Sequence, residues 1–177
     1  MVLVIIVLIV SIMFFIYNIY HDKLTFLNIK LISIEEKINS TLIKRKELIK
    51  DSEIIIRNIT KTNKQIYEGF EEVNEKDTSM MELDRKLLVY INEFHLIKDK
   101  YQKLQKDDDF QKIAFKINET EDLLNAYKDY YNDNASKYNK LIKRFPVIIT
   151  TILKRRKEKL TYGDMFQRLF GHLEIEG

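Results

Sequence analysis

The chain has no cysteine and no tryptophan, and it contains one proline and four glycines in 177 residues. Without cysteine, it can form neither a disulfide framework nor a thiolate metal site. Glycine and proline are far below their usual share, so turns are few and the elements between them are long. This composition predicts an all-α protein.

Charge and motif content exclude several function classes. The net charge of +3 is too small to indicate a nucleic-acid binder, which normally concentrates basic groups on one face. The histidines His21, His95 and His172 lack the spacing that places two metal ligands on one helix face. No glycine-rich phosphate loop and no G-x-S-x-G motif is present. We expect no metal, no cofactor, no nucleic acid, no small-molecule substrate and no enzymatic activity.

The first twenty residues carry no charged side chain, and only Ser11 and Asn18 are clearly polar. A helix of about 20 residues covers the roughly 30 Å hydrocarbon layer of a membrane. The alternative is a cleaved signal peptide, but its basic start and small-residue cleavage site are missing. The first cations after this stretch are Lys23 and Lys30, so the positive-inside rule places the N-terminus outside and the C-terminal domain in the cytoplasm. We predict a single-pass protein of the cell (inner) membrane.

Apolar residues then recur at three- and four-residue steps, which is typical of helices packed along one face. The first helix is predicted to continue without a break to Gly69, and a capping box at Ser79 and Glu82 opens a second helix. Asp107 and Asp108 are suited to cap a third helix over residues 109–144. Pro146 can begin a short fourth helix. The fold prediction is an N-terminal transmembrane helix that continues into a long antiparallel up-and-down bundle of three long helices plus a short C-terminal helix.

We divide the chain accordingly into a transmembrane helix over 1–22, a bundle over 23–146 and a short helical and basic segment over 147–177. The predicted second helix is only about half as long as the first, so it leaves the apolar stripe from Leu24 to Leu42 without a partner. Either the segment after Pro146 folds back along this stripe, or a neighbouring copy covers it.

The third helix carries the strongest pattern, a seven-residue repeat of aromatic and apolar side chains that predicts a bundle seam. The repeat consists of Phe110, Ile117, Leu124, Tyr131, Tyr138 and Phe145. Tyr131 and Tyr138 can bury their rings while their hydroxyls reach water or a neighbouring helix. Asn132 and Asn139, which follow them, either bond across helices or face solvent. We interpret these residues as core packing rather than as a ligand site.

In this region the chain resembles the LemA family of bacterial membrane-anchored helical proteins, whose third helix carries a pattern like YN-x-x-x-x-x-YN-x-x-I-x-x-FP. The matching positions here are Tyr131, Asn132, Tyr138, Asn139, Ile142, Phe145 and Pro146. The runs Asn118–Glu121 and Ile38–Ile49 are similar to further family motifs, although the family's first-helix tryptophan and proline are absent. The resemblance implies an N-terminal membrane helix, a cytosolic bundle, no established catalytic activity and frequent proximity to membrane protease genes.

Two charge runs remain. Residues 68–84 contain seven carboxylates against one lysine, and residues 140–159 contain eight cations against one carboxylate. The runs can pair within one molecule or between copies, can be solvated faces, or the cluster Lys154, Arg155, Arg156 and Lys157 can lie on anionic lipid.

The functional hypothesis is a non-enzymatic, membrane-anchored scaffold or adaptor that acts through self-association, as a homo-oligomer, and through binding other membrane proteins such as a membrane protease. The alternative is a lipid-binding or membrane-remodelling protein that uses the C-terminal apolar and basic segment. A sensor stalk would need an output domain, and none is visible.

Overall fold

A computed structural model of the protein describes residues 1–73, 79–144, 148 and 158–165. Three long helices dominate these residues: α1 is Val2–Thr60, α2 is Met80–Lys100 and α3 is Asp108–Ile142. Two short 3-10 turns, Phe70–Glu72 and Leu104–Lys106, lie between them, and no strand occurs in the described part of the chain. The prediction of an all-α protein built from packed helices is confirmed. The predicted start of a fourth helix at Pro146 lies outside the described residues.

The helices open where the sequence places their caps. The Glu82 N–H donates to Ser79 Oγ at 3.3 Å at the start of α2. Asp107 Oδ1 accepts from the N–H groups of Asp109 and Phe110, at 3.1 and 2.9 Å, at the start of α3. Both caps satisfy N–H groups that a helix leaves without an internal partner.

The first helix ends earlier than predicted, at Thr60 instead of near Gly69. Lys61 adopts a left-handed conformation with φ 54°, and the Thr62 N–H donates to the Arg57 carbonyl at 3.3 Å. That bond is the closing bond of a Schellman motif, which normally uses glycine in the left-handed position. Because lysine occupies it here, the sequence gives little warning of the helix end.

After α1 the chain folds back onto the helix it has just left. Tyr67 is fully buried, and its hydroxyl lies 2.9 Å from Ser52 Oγ. Since the Ser52 hydroxyl donates to the Ile49 carbonyl at 2.7 Å, the Tyr67 hydroxyl is the donor to Ser52. The Ile66 N–H donates to Glu53 Oε1 at 3.0 Å. This docking fixes the connection against the last turns of α1.

The chain divides into two compact units, one made of Glu36–Tyr127 and the other of Met1–Glu35 with Lys128–Gly177. In the first, Arg45 of α1 lies near both Asp84 of α2 and Thr120 of α3. Further along α1, Tyr67 packs on Ser52 and meets the ring of Tyr90 on α2 at 6.1 Å. Because later residues of α1 meet later residues of α2, the two helices run parallel to each other.

The third helix of this unit runs the other way. Phe94 of α2 stacks on Phe110 at the start of α3, with ring centroids 5.3 Å apart, whereas Asp84 lies at the level of Thr120. The predicted up-and-down order has α2 antiparallel to α1, but these contacts place α1 and α2 in one direction and α3 in the opposite one. Residues 61–79 connect α1 to α2, and about 19 residues can span up to roughly 60 Å, enough to carry the chain back along α1.

The core follows the predicted stripes. Seven apolar residues of α1 are at most 3 % exposed: Leu24, Leu31, Ile34, Ile38, Leu42, Ile49 and Ile56. The heptad positions Phe110, Ile117, Leu124, Tyr131 and Tyr138 of α3 are also buried, and Phe145 lies outside the described residues. The stripe from Leu24 to Leu42 is thus covered within a single chain, so no neighbouring copy is needed to bury it.

The N-terminal part of α1 differs from the rest of the helix. Each residue from Val2 to Val10 is more than half exposed, and the most apolar 18-residue window has a mean hydropathy of 3.0 and is not buried in the protein. Within the described residues, α1 is the helix whose length and apolar composition would allow it to cross a membrane. This exposed apolar end is compatible with a membrane anchor.

Candidate functional site: an asparagine clamp on α3

The two Tyr-Asn pairs of α3 present their tyrosines to α1. Tyr131 and Tyr138 are buried, and the Tyr131 hydroxyl donates to Glu35 Oε1 at 3.1 Å. Burial raises the pKa of Tyr131 well above its usual range, and the neighbouring Glu35 carboxylate raises it further. The sequence left two roles open for these hydroxyls, contact with water or contact with a neighbouring helix. The Tyr131 hydroxyl contacts a neighbouring helix, α1.

The asparagines, one position further round the helix, bind the main chain of the C-terminal segment. Asn139 Nδ2 donates to the Lys159 carbonyl at 2.7 Å, and Asn139 Oδ1 accepts from the Lys159 N–H at 2.8 Å. Asn132 Oδ1 accepts from the Tyr162 N–H at 2.6 Å. We call this arrangement the asparagine clamp: the amides of Asn132 and Asn139 with the main chain of Lys159 and Tyr162.

The clamp depends on a match between two kinds of backbone. Seven residues of helix separate the asparagines, a rise of about 10.5 Å at roughly 1.5 Å per residue. Three residues separate Lys159 from Tyr162, and an extended chain covers about 10 Å over three residues at roughly 3.3 Å each. The segment runs opposite to α3, since Lys159 meets Asn139 and the later Tyr162 meets the earlier Asn132. A shift of one residue would put the segment out of register with the amides.

Side chains reinforce the same register on either side of the amides. Lys143 Nζ pairs with Glu158 Oε1 at 2.8 Å, and Lys128 Nζ lies 4.8 Å from the ring centroid of Tyr162, which is buried. Such a cation over an aromatic ring contributes about 0.5–2 kcal/mol. Successive contacts therefore tie residues 158–162 along α3.

A reciprocal cap closes the docked segment. Asp164 Oδ2 accepts from the N–H and the hydroxyl of Thr161, at 3.2 and 2.6 Å, and the Asp164 N–H donates to Thr161 Oγ1 at 3.1 Å. The Met165 N–H donates to the Thr161 carbonyl at 3.0 Å. This is a capping box with aspartate in the third position, and it turns the chain from extended to helical at Tyr162.

The clamp is suited to binding rather than to chemistry. An amide presents one donor group and one acceptor group, neither charged, and so matches the N–H and C=O of a peptide unit whatever side chain that unit carries. Specificity for this segment comes from the flanking Lys143–Glu158 and Lys128–Tyr162 contacts.

A second polar cluster lies inside the unit Glu36–Tyr127. Arg45 and Asp84 are each 2 % exposed, with Arg45 Nη1 4.0 Å from Asp84 Oδ1, and Arg45 Nε donates to Thr120 Oγ1 at 3.3 Å. The Thr120 hydroxyl in turn donates to the Ile117 carbonyl at 2.7 Å. The cluster takes one residue from each of the three helices, so it fixes their mutual register.

The structure describes some of the predicted site residues and not others. Tyr131, Asn132, Tyr138 and Asn139 lie together on α3, and the asparagines take the cross-segment role rather than the solvent-facing one. Phe145, Pro146 and the cluster Lys154–Lys157 lie outside the described residues.

Sequence reasoning missed Lys159, Tyr162 and Lys128 as parts of the site. The Thr161–Asp164 capping pair was a readable signal that a structured turn follows residue 160. Nothing local to Lys159 indicates that an amide of α3 will bind its backbone.

The predicted pairing of the two charge runs required both to lie at the same end of the bundle. Lys140 and Arg144, at the end of α3, line a common groove with Lys23, the first cation after the apolar stretch. On the described parts of the two runs, Lys143 pairs with Glu158, Glu82 with Lys86 and Asp84 with Arg45, and these ion pairs do not join one run to the other.

Comparison with known proteins identifies one family. The model of the LemA family matches residues 34–165, which is most of the chain and contains both the buried polar cluster and the asparagine clamp. Neither the curated proteins nor the solved structures include a significant match.

Proposed function

The chain belongs to the LemA family, and on that basis we propose that it is a non-enzymatic, membrane-anchored scaffold or adaptor that acts through self-association and protein binding. Its apolar N-terminal helix end spans the cell (inner) membrane, with the N-terminus outside and the helical domain in the cytoplasm. Its partners are further copies of itself and other membrane proteins, such as a membrane protease.

The observation that carries self-association is an exposed apolar stripe on α1, beside the membrane end. Phe26, Ile29 and Ile32 are 58, 59 and 46 % exposed, and Lys30 Nζ lies 4.6 Å from the Phe26 ring centroid. At about 100° per residue, Ile29 points almost directly away from the face that Leu31 and Ile38 bury. A helix with one apolar face in its own core and a second one exposed favours packing against another helix.

Anchorage is supported by the same helix. An apolar 18-residue window that is not buried in the protein favours hydrocarbon over water. The N-out orientation is supported by Lys23 and Lys30, which follow the apolar stretch.

Self-association is tested by mass. The full-length chain in a mild detergent is measured by light scattering with the detergent contribution subtracted, and we expect a mass above that of the 21.3 kDa monomer. Ile29→Glu introduces a charge into the stripe and is expected to shift the protein to monomer. Ile54→Glu is the matched control, because Ile54 is 57 % exposed on the same helix. A monomeric wild-type protein, or equal effects of the two substitutions, would contradict self-association through this stripe.

Orientation is tested by labelling, which the absence of native cysteine makes direct. Val2→Cys should react with a membrane-impermeant maleimide in intact cells, whereas Asp51→Cys should react only after the membrane is permeabilised. The reverse pattern would contradict the orientation, and labelling of both in intact cells, together with recovery in the soluble fraction, would contradict anchorage.

The alternative function, lipid binding through Lys154–Lys157, rests on residues outside the described part of the chain. It remains a hypothesis of the sequence alone.

A further inference from the structure

Where the last turns of α3 meet α1, the structure forms a groove of about 330 Å³ that combines cationic and apolar walls. Its lining residues are Lys23, Phe26 and Leu27 of α1, Lys137, Lys140 and Leu141 of α3, and Arg144 just beyond the end of α3. All of them belong to the same compact unit. Four cations and three apolar side chains therefore share one concave surface.

The charge of this groove is not balanced by the described part of the protein. Lys137 pairs with Asp133 at 2.6 Å. Among the described residues, no carboxylate lies within ion-pair distance of Lys23, Lys140 or Arg144. Like charges that converge in a concave site raise the local electrostatic potential and favour an anion.

The helix dipole accounts for only part of this arrangement. Cations in the last turn of a helix interact favourably with its partly negative C-terminus, which explains Lys140 in the last turn of α3 and accommodates Arg144 just beyond it. It does not explain Lys23, which comes from another helix and faces the same groove.

The position of the groove along α1 indicates the source of the anion. Tyr17 and Tyr20 precede Lys23, and a tyrosine belt followed by the first cation marks the interface of a membrane-spanning helix. Three residues of helix place Lys23 about 5 Å beyond Tyr20. If residues 1–20 span the hydrocarbon layer, the groove lies at the depth of the lipid headgroups.

From the cations, the apolar walls and this depth, we propose that the groove binds an anionic glycerophospholipid, with its phosphate on Lys23, Lys140 and Arg144 and its glycerol and upper acyl chain against Phe26, Leu27 and Leu141. The proposal rests on the proposed membrane anchorage. It assigns the cations at the end of α3 a lipid ligand that stabilises the pairing of α1 with α3 next to the membrane, and it is separate from the Lys154–Lys157 cluster.

The test measures lipid binding to the full-length chain in a neutral detergent. Short-chain phosphatidylglycerol is titrated while binding is followed by native mass spectrometry and by the unfolding temperature, with zwitterionic phosphatidylcholine and inorganic phosphate as separate arms. We expect saturable binding and stabilisation by the anionic lipid, with little effect of the other two.

The decisive variant is Lys140→Gln/Arg144→Gln. We expect roughly 20- to 30-fold weaker binding of phosphatidylglycerol, because each basic group near an anionic headgroup contributes about 1 kcal/mol and about 1.4 kcal/mol is tenfold. Lys116→Gln/Arg57→Gln is the matched control, since it removes one lysine and one arginine from exposed positions of α3 and α1 outside the groove. Equal weakening in both double variants, no weakening in either, or equal binding of phosphatidylcholine or of inorganic phosphate would overturn the proposal.

A flotation assay separates this proposal from the proposed anchorage. Wild-type chain that fails to float with vesicles of any composition would contradict anchorage itself. Wild-type and Lys140→Gln/Arg144→Gln chains that both float, with unchanged phosphatidylglycerol affinity, would overturn the groove site alone.

Discussion

Asn139 binds both main-chain polar groups of Lys159, donating to the carbonyl at 2.7 Å and accepting from the N–H at 2.8 Å. One side chain of a helix thus gives an extended segment the pair of bonds that a residue on a neighbouring antiparallel strand would give. Asn132 repeats part of this contact two turns earlier. The Tyr-Asn repeat is therefore two-sided: its tyrosines pack into the seam with α1, and its asparagines hold the C-terminal segment.

Asn139→Ala is expected to release this segment without unfolding the helices. It removes two hydrogen bonds and leaves both polar groups of Lys159 without their partner, at a cost of about 1–3 kcal/mol in local stability. Hydrogen exchange at the Lys159 and Tyr162 amides should accelerate roughly 5- to 150-fold, while the core of α3 keeps its protection.

Asn118→Ala serves as the control, since Asn118 is exposed on the same helix. Asn139→Asp keeps the acceptor but loses the donor and sets a carboxylate near the Lys159 carbonyl, so it should also release the segment. Unchanged exchange at Lys159 in Asn139→Ala would show that the clamp does not hold it.

Asp84→Asn is expected to destabilise the helical domain strongly. Arg45 would remain buried after losing the negative charge of Asp84, and breaking a buried ion pair from one side costs about 3–5 kcal/mol. Thermal unfolding of the full-length chain, followed by circular dichroism, measures the loss. Arg45→Met/Asp84→Leu removes both charges and should recover most of the stability that Asp84→Asn loses.

The exposed pair Lys44–Glu119, 3.8 Å apart and joining the same two helices as Arg45 and Thr120, provides the comparison. Lys44→Ala should change the stability by less than about 1 kcal/mol, as is usual for surface pairs. If Asp84→Asn cost no more than Lys44→Ala, the buried cluster would not stabilise the bundle.

The features that the sequence predicted are those encoded by local chemistry or by a regular period. The heptad from Phe110 to Tyr138 is buried because a seven-residue repeat keeps one face of a helix toward its partner over its whole length. Ser79 and Asp107 cap α2 and α3 because their side chains reach N–H groups two or three residues away.

The features that could not be predicted from the sequence depend on contacts between distant residues. The end of α1 is fixed by a lysine in a left-handed conformation and by the docking of Tyr67, neither of which has a local signature. A connection of about 19 residues permits α2 to run in either direction. The clamp joins residues that are 20 and 30 positions apart in the sequence. The spacing of the asparagines along α3 matches the spacing of their partners along the extended segment only once both elements have formed.

The end of α1 gives a paired prediction. Lys61→Gly relieves a left-handed conformation that costs a residue with a side chain about 1–2 kcal/mol, although glycine also adds freedom to the unfolded chain, so we expect a net stabilisation of about 0.5–1 kcal/mol. Gly69→Ala should instead destabilise the protein, because Gly69 has φ 73° and a residue with a side chain is strained in that conformation.

The two substitutions differ in backbone strain rather than in crowding. A Cβ at Gly69 would meet the Tyr90 hydroxyl at 3.7 Å, which is an ordinary contact. The expected loss of about 1–2 kcal/mol is therefore a backbone cost. Chemical denaturation compares the two variants with wild type, and a destabilising Lys61→Gly would contradict the assigned helix end.

Alkaline pH should destabilise the protein through its buried tyrosines. Burial, above all, raises the pKa of Tyr67 and of Tyr131 above the ordinary value near 10. The unfolded chain releases these protons as pH rises above about 10, while the folded chain still holds them, so stability falls by up to about 1.4 kcal/mol per pH unit for each tyrosine. Below about pH 9 neither state loses the proton and this contribution is constant.

Tyr131→Phe removes one of these groups, so the decline in unfolding temperature between about pH 9 and about pH 11 should become shallower than in wild type. At neutral pH the same variant should be slightly less stable, since it loses the bond to Glu35. Tyr130→Phe, which removes an exposed hydroxyl at the neighbouring position, is the matched control. Parallel alkaline profiles for wild type and Tyr131→Phe would mean that this hydroxyl titrates alike in the folded and unfolded chain, contrary to its burial against Glu35.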